Sequence, residues 1–342
     1  MEIASIASTD NFNNLPSLDR YLYDGLNLSQ ILTSYISDLK VYGKKTSNII
    51  ELEHASFLEQ YQGIIEDDSF VFEVEKDMES FLKLISNESF SYVLYGRIKS
   101  LLRLEEKFNG YIQEAVSLYV SKSDKYKSEH DIQSFVKKYL QRFRDSVAFR
   151  IIISSKSKDS KSEIAQLSWI ANKVCDFFSS STLNFVDGQV GRYKILPASR
   201  LVDSTSSKKT SIISKENRLY FKDYVDHPKT NGYQALHVSM VYEKYNRPIE
   251  LQLLTFSMLS KNEHEISTHQ VYEKEQKKSR METVNINETL FEESHERIIR
   301  QESLDYKNLN VSMLYAKSND KKDVEDFSGL VNDLKLTPFK II

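Results

Sequence analysis

The sequence predicts an α+β fold, in which a mixed β-sheet is flanked by helices and preceded by a helical extension. Leucines and aromatic residues recur every three or four positions through residues 1–90, which is the spacing of amphipathic helices. A β-branched run at 147–154 and alternating runs near 235–243 and 248–255 predict strands instead. Strands separated by helical segments in this irregular order indicate one mixed sheet with helices packed on it.

The remaining elements follow from the same patterns. In chain order they are a strand at 91–96, a helical stretch at 97–120, a polar hinge at 121–131, a helix beginning near Asp131, an amphipathic helix at 164–178, an exposed Ser- and Lys-rich loop at 203–217, a strand at 218–226, a helix at 256–277 and weaker helical segments in 278–342. We therefore divide the chain into an N-terminal helical extension (1–90), a central α+β domain (91–278) and a C-terminal helical tail (279–342).

Composition narrows the class of protein. The net charge of −3, with 28% charged residues of both signs, argues against a strongly basic nucleic-acid binder but allows a local basic pocket. The single cysteine, Cys175, excludes an internal disulfide framework, and its apolar neighbours indicate a core residue in a reducing compartment. The N-terminus lacks a signal-peptide pattern and no apolar run approaches membrane-spanning length. We expect a cytoplasmic protein with no membrane partner.

A cluster of basic residues occupies the stretch GRIKSLLRLEEK. It contains Arg97, Lys99, Ser100, Arg103 and Lys107. On a helix, most of these side chains can share one face. Cations next to a helix N-terminus suit polyphosphate binding, because the terminal N–H groups also attract anions. The alternative is an ordinary solvated helix face with local ion pairs.

An acidic residue and a basic residue mark the predicted strand at 147–154. Asp145 lies just before the start of this strand, and a carboxylate at a strand end commonly binds Mg²⁺ together with phosphate oxygens. Arg150 interrupts the apolar run, and an arginine is costly to bury without a partner. It therefore either pairs with a carboxylate, faces a cleft, or belongs to an edge strand.

Polar residues also punctuate the last two predicted strands. Glu250 and Gln252 are two residues apart and project to the same face of a strand, and His237 on the neighbouring strand could share that face. Tyr233 follows Gly232 at a turn, where an aromatic ring can stack on a base. Singly, each could equally be structural, as a core tyrosine, a hydrogen-bonded core histidine or the wet face of an edge strand.

Taken together, these motifs resemble the synthetase domain of the RelA/SpoT family, whose members make the alarmone (p)ppGpp. The matching stretches are RIKS with its following lysine (97–107), D....R (145–150), DY..HPK.NGYQALH (223–237), ELQ (250–252) and E.....H..Y (263–272). The resemblance covers about residues 90–278. It implies a nucleotidyltransferase-like synthetase core in a short, synthetase-only member.

The resemblance also implies a reaction: transfer of pyrophosphate from ATP to the 3′-hydroxyl of GDP or GTP, with release of AMP. Asp145 and Glu250 would hold Mg²⁺, Glu250 would also act as general base, and Tyr233 would stack on the guanine. The other implied roles are an ATP phosphate clamp (Arg97, Lys99, Ser100, Lys107), support of the phosphates or of Glu250 (Arg150, His237, Gln252) and bracing from the following helix (Glu263, His269).

Several positions depart from the family pattern. Arg103 stands where a small hydroxyl residue is usual, and Ala148 replaces a common glycine. Leu254 replaces a basic residue expected after the E.Q motif, and Glu273 breaks an expected Tyr-Lys pair. These departures leave both presumed metal ligands in place but bear on the choice of acceptor.

The sequence leaves two other functions open. Some short relatives are toxins that pyrophosphorylate the 3′ end of tRNA, and a patch of lysines could bind such a partner (Lys208, Lys209, Lys215, Lys222). A catalytically silent nucleotide-binding regulator is the other. A hydrolase site is not indicated, because the lone His-Asp pair, His130–Asp131, lies between two synthetase motifs. Compact relatives often form homotetramers, which suggests a homo-oligomer, but the long terminal extensions of this chain could prevent or replace that assembly.

Overall fold

The structure is a computed structural model. It describes residues 16, 18, 21, 28–67, 69–86, 90–99, 101–121, 132–140, 143–155, 157, 159–179, 184–185, 188–189, 193–198, 212–229, 232–264, 314–317 and 339–341. The chain forms two compact units that interleave in sequence. The helical unit consists of 1–68, 100–143 and 285–309, and the sheet unit consists of 69–99, 144–284 and 310–342.

The regular elements are numbered in chain order. The helices are α1 (Leu28–Thr46), α2 (Ile49–Glu66), α3 (Ser69–Ile85), α4 (Leu101–Ser121), α5 (Ile132–Leu140), α6 (Ser160–Ser179) and α7 (Phe256–His264). The strands are β1 (Phe90–Ile98), β2 (Val147–Ser155), β3 (Asn184–Phe185), β4 (Gly188–Gln189), β5 (Tyr193–Leu196), β6 (Phe221–Asp223), β7 (Leu236–Tyr242), β8 (Arg247–Thr255), β9 (Leu314–Lys317) and β10 (Phe339–Ile341).

The helical unit contains α1, α2, α4 and α5. The start of α2 is fixed by Asn48, whose side-chain oxygen accepts a hydrogen bond from the Ile50 backbone N–H at 3.0 Å. The apolar faces of the helices meet in a core cluster formed by Ile50, Phe108, Ala115, Val136 and Leu140. The segments with helical periodicity in the sequence are therefore helices in the structure, and their apolar residues form the core of the unit.

A buried polar cluster lies inside this unit. His54 Nε2 is 2.6 Å from Glu105 Oε1, and the Tyr35 hydroxyl donates to Glu105 Oε2 at 3.3 Å. The His54 ring stacks on Phe108 with centroids 4.2 Å apart. Burial alone would lower the pKa of His54, but the carboxylates of Glu105 and Glu51 outweigh it and raise the pKa to about 9. His54 and Glu105 therefore form a buried ion pair at neutral pH.

This pair predicts a pH dependence of stability. The pKa of His54 in the folded protein is about 9, above the ordinary 6.5. The stabilisation is therefore complete below about pH 6.5 and is lost as the pH rises towards 9. We expect the free energy of unfolding to fall by one to about three kcal/mol over this range, measured by urea unfolding. Glu105→Gln removes the main charge that raises this pKa, so an equal fall in that variant would contradict the prediction.

The sheet unit is built on one mixed sheet. Its strand order is β10-β9-β1-β2-β8-β7-β5, and β6 pairs with β7 beside β5. The β2–β8 and β9–β10 pairs are parallel, and the other pairs are antiparallel. Helices α3, α6 and α7 belong to the same unit. The predicted α+β fold with a mixed sheet and flanking helices is confirmed.

A close contact between β1 and β2 depends on Gly96. This glycine lies opposite Phe149, and a Cβ at position 96 would stand 2.8 Å from the Phe149 ring. Phe149 is only 2% exposed and cannot move aside freely. We expect Gly96→Ala to cost about 1–3 kcal/mol through overpacking, measured by urea unfolding. A double variant with Phe149→Leu should recover part of that loss, and no recovery would contradict this cause.

Some predicted elements differ from the observed ones. Arg97 lies in β1 and not on a helix, because strand pairing with β2 continues to Ile98 and overrides the local helical period. The strand predicted at 218–226 begins with a 3₁₀ turn (Arg218–Tyr220), and only Phe221–Asp223 pairs with β7.

The end of the chain also differs. Helix α7 is described to His264, and the rest of the predicted helix to 277 lies outside the described residues. In the predicted helical tail, the described residues form strands β9 and β10, since β9 can pair with the free edge of β1. In the described part of the chain, no helix has the length and apolarity to span a membrane.

Candidate active site

The register of the central strands aligns three polar residues across the sheet. Parallel pairing places Arg150 of β2 opposite Gln252 of β8, and antiparallel pairing places His237 of β7 opposite the same glutamine. Glu250 lies two residues before Gln252 on β8 and therefore shares its face. His237, Glu250 and Gln252 are all at most 8% exposed. Because buried polar side chains are almost always hydrogen-bonded, these three residues are expected to have hydrogen-bond partners.

Hydrogen bonds join these residues into one row. Arg150 donates from both Nε and Nη2 to Gln252 Oε1, each at 3.1 Å. Gln252 Nε2 then donates to Glu250 Oε2 at 2.8 Å. Because the arginine occupies the glutamine oxygen, the amide nitrogen must point at the carboxylate. Arg150 thus fixes the orientation of Gln252, which in turn holds Glu250.

The other oxygen of Glu250 is held from β7. His237 Nδ1 lies 3.2 Å from Glu250 Oε1, and His237 Nε2 lies 2.9 Å from the Tyr233 hydroxyl. Burial lowers the pKa of His237. Burial of the Glu250 carboxyl opposes its ionisation, but His237, Gln252 and the charge of Lys222 hold its pKa well below the usual value.

The lowered pKa values of His237 and Glu250 indicate which atoms carry protons in this hydrogen-bonded row. A neutral His237 beside an ionised Glu250 carries its proton on Nδ1, which donates to the carboxylate. Nε2 is then an acceptor, so the Tyr233 hydroxyl donates to it. We assign this tautomer from the hydrogen-bond partners. Every hydrogen bond in the series is therefore directed towards Glu250.

Tyr233 is half-buried and lies beside a second tyrosine. It follows Gly232, which has a φ of 80°. This left-handed backbone conformation is strained for residues with a Cβ, so the turn favours glycine. The ring centroids of Tyr233 and Tyr224 are 6.1 Å apart. Lys229 Nζ lies 4.7 Å from the first ring centroid and 4.8 Å from the second, at cation–π distance. The two tyrosine rings offer surfaces on which a base can stack, and Lys229 adds a positive charge beside them.

A second polar pair lies at the start of β2. Lys99 Nζ is 2.7 Å from Asp145 Oδ2, and both side chains are largely buried, at 14% and 16% exposed. The backbone N–H of Lys99 donates to the Ser146 carbonyl at 2.8 Å, which fixes the connection after β1. The RIKS lysine and the presumed metal ligand are therefore direct neighbours.

The other predicted site residues lie on several different elements. Lys107 belongs to the helical unit, on α4, where Nζ lies 5.4 Å from the ring centroid of Phe143. Arg97 lies in β1 opposite Ala148, which is itself opposite Glu250. Ser100 and His269 lie outside the described residues, and Glu263 is described only as part of α7. Their predicted roles stay predictions.

The donor set fits a magnesium ion bound with substrate. Mg²⁺ in phosphate-transfer sites takes one or two carboxylates and fills its other positions with water and phosphate oxygens. Asp145 and the ionised Glu250 supply such carboxylates. Within the residues that the structure describes, no group of three or more His, Cys, Asp or Glu side chains forms a complete metal cage.

Sequence reasoning left two neighbours of Tyr233 without a role. Tyr224 and Lys229 were inside the DY..HPK motif, and their proximity to Tyr233 depends on the folded turn. Leu254, where a basic residue was expected, is 1% exposed and belongs to the core. Lys222, which lies opposite His237 on β6, places a positive charge near Glu250.

Comparison with known proteins matches this part of the chain. Residues 198–277 match the family model described as a region found in RelA/SpoT proteins. This part of the chain is similar to the RelA/SpoT region. The match includes the NGYQALH and ELQ motifs and confirms the resemblance predicted from them. The RIKS motif and Asp145 lie before the matched residues of the RelA/SpoT region.

Two curated relatives match within a shorter segment. They are GTP pyrophosphokinases of Streptomyces antibioticus and Streptomyces coelicolor, each 42% identical over 55 residues. The match covers 16% of this chain and 6% of either relative. The chain therefore aligns with only a small part of these longer proteins.

Solved structures also overlap with the chain. The small alarmone synthetase 1 from Bacillus subtilis, bound to its product pppGpp, has a TM-score of 0.33 at 13% identity and covers 76% of this chain and 96% of its own. A GTP pyrophosphokinase family protein from Streptococcus pneumoniae has a TM-score of 0.30 at 15% identity and covers 82% and 98%. With TM-scores this low, the overlaps carry no further conclusion.

Proposed function

We propose that the chain is an ATP:GTP/GDP 3′-pyrophosphotransferase that makes (p)ppGpp. The observation that carries this proposal is Glu250, an ionised carboxylate held on both oxygens by neutral donors. A buried carboxylate fixed in this way is suited to orienting a hydroxyl and binding a cation. The RelA/SpoT region and the name of the curated relatives, GTP pyrophosphokinase, support the same reaction.

In the proposed reaction, the 3′-hydroxyl oxygen of the acceptor attacks the β-phosphorus of ATP. A bond forms between this oxygen and the β-phosphorus, the bond from the β-phosphorus to the α-phosphate oxygen breaks, and AMP leaves. Glu250 accepts the hydroxyl proton as the new bond forms. Because the pKa of Glu250 is low, its larger contribution is to orient the hydroxyl and not to remove its proton beforehand.

The other residues would position the two nucleotides. Tyr233 would stack on the acceptor base, while Lys99 and Asp145 would lie at the polyphosphate. Asp145 and Glu250 would hold Mg²⁺, which supplies charge neutralisation of the transferred phosphates when bound. The clamp roles of Arg97 and Lys107, and a synthetase domain spanning 91–278, are part of the same proposal.

The proposal is tested by incubating the purified chain with γ-labelled ATP and Mg²⁺. GDP, GTP and deacylated tRNA are supplied in turn, and products are separated by chromatography. Label in ppGpp or pppGpp, together with an equal amount of AMP, supports the proposal. Label on the 3′ end of tRNA alone would replace it with a tRNA-modifying activity. No transfer to any of the three acceptors would overturn enzymatic function and favour a nucleotide-binding regulator.

A further inference from the structure

The Tyr233 side chain makes two separate contacts, and they lead in different directions. Its ring lies beside Tyr224 and Lys229. Its hydroxyl instead points inwards and donates to His237 Nε2 at 2.9 Å. Stacking on a base would use only the ring. The hydroxyl is thus available for a second role.

The hydroxyl is connected to Glu250 through a single imidazole. His237 contacts Tyr233 with one ring nitrogen and Glu250 with the other, at 2.9 Å and 3.2 Å. An imidazole that accepts at Nε2 is fixed as the Nδ1–H tautomer, the form that donates to a carboxylate. The Glu250 carboxylate requires this same tautomer at Nδ1, so the phenol adds a second anchor for the ring at the opposite nitrogen. The Tyr233 hydroxyl therefore holds the imidazole ring in the position from which Nδ1 can donate to Glu250.

We propose that Tyr233 is a positioning residue for Glu250, acting through His237 in addition to any stacking by its ring. This inference rests on the proposed pyrophosphate transfer. The Tyr233 side chain, whose ring would bind the acceptor, is then linked to the Glu250 carboxylate by hydrogen bonds through His237. A correctly seated acceptor base and a correctly oriented carboxylate are then linked, which restricts transfer to acceptors that fit the Tyr233 ring.

The first test separates the ring from the hydroxyl by steady-state kinetics at saturating ATP. Tyr233→Phe keeps the ring, so we expect the KM for the acceptor to change less than about twofold and kcat to fall about 5- to 10-fold, the effect of one buried hydrogen bond. Tyr233→Leu removes both groups and should also raise KM. The control Tyr245→Phe removes a hydroxyl that donates to Glu73 at 3.1 Å elsewhere in the sheet unit, and should leave kcat unchanged.

The second test uses a conservative variant of the histidine. The amide nitrogen of His237→Asn can replace Nδ1 as the donor to Glu250 but cannot reach Tyr233. In this background, Tyr233→Phe should lower kcat by less than about twofold, because the connection is already cut. Equal effects of Tyr233→Phe in both backgrounds, or an unchanged kcat in the wild-type background, would overturn the proposal.

Imidazole NMR gives a readout that does not depend on activity. In ¹⁵N-labelled protein, with the His237 signals identified from their loss in His237→Asn, we expect a protonated Nδ1 and an unprotonated Nε2. Tyr233→Phe should move the Nε2 signal, because the hydrogen bond from the phenol to Nε2 is lost. If the spectra agree but the wild type transfers to no acceptor, the connection stands and the proposed function fails. An unchanged Nε2 signal would refute the connection whatever the activity.

Discussion

Glu250→Gln is expected to reduce pyrophosphate transfer by about 10²- to 10⁴-fold, the largest effect on activity of any single change in this site. The substitution removes the negative charge that accepts the hydroxyl proton and that would bind Mg²⁺. It also places an amide beside two groups that donate to the native carboxylate, His237 and Gln252. The loss is measured as kcat/KM for labelled ATP and the preferred acceptor.

A matched control is available on the same hairpin. Glu243→Gln makes the same chemical change at an exposed residue between β7 and β8, and we expect less than a twofold effect. Circular dichroism and the thermal midpoint of Glu250→Gln show whether the variant is folded. A folded Glu250→Gln with activity close to the wild type would remove Glu250 from the mechanism.

His54→Leu is expected to produce the largest loss of stability, about 3–5 kcal/mol in the free energy of unfolding. The leucine leaves Glu105, which is 6% exposed, as a buried carboxylate without its cationic partner. Among the described residues, the Tyr35 hydroxyl, at 3.3 Å, is the donor that would remain. The change also removes the stacked ring that packs on Phe108. Urea unfolding followed by far-ultraviolet circular dichroism measures the loss.

The control is the double variant His54→Leu/Glu105→Leu. Replacing both members of a buried ion pair with apolar residues is often close to neutral, so we expect a stability within about 1 kcal/mol of the wild type. The difference between the double and single variants measures the coupling of the pair. A double variant that loses as much as the two single variants combined would show that the two side chains stabilise the fold independently.

The strands of the site could be predicted because their residue pattern is local. The β-branched run at 147–154 and the alternation around Glu250 and Gln252 specify strands from sequence spacing alone, and both were found. A two-residue period also places Glu250 and Gln252 on one face whatever the rest of the chain does. The mixed sheet follows from these strands and the helices between them.

Other features depended on pairing between distant segments. Arg97 was predicted on a helix, but it lies in β1. The first residues of β2, Val147 and Ala148, pair with Ile98 and Arg97 and so extend β1 through this position. Strands β9 and β10 appear where the sequence indicated weak helical segments, since the edge of β1 offers hydrogen bonds that local propensity does not reveal. The His54–Glu105 pair joins residues 51 positions apart and gave no local signal.

The sequence by itself determined which residue types could do chemistry, because their order and spacing are encoded in the chain. It identified Asp145, Tyr233, His237, Glu250 and Gln252 as candidates and indicated a resemblance to RelA/SpoT proteins. Only the tertiary structure decided how they are connected. The register of β2, β8 and β7 brings Arg150 and His237 against opposite ends of the Gln252–Glu250 pair. Such a connection depends on hydrogen bonds between strands far apart in sequence, which no local spacing specifies.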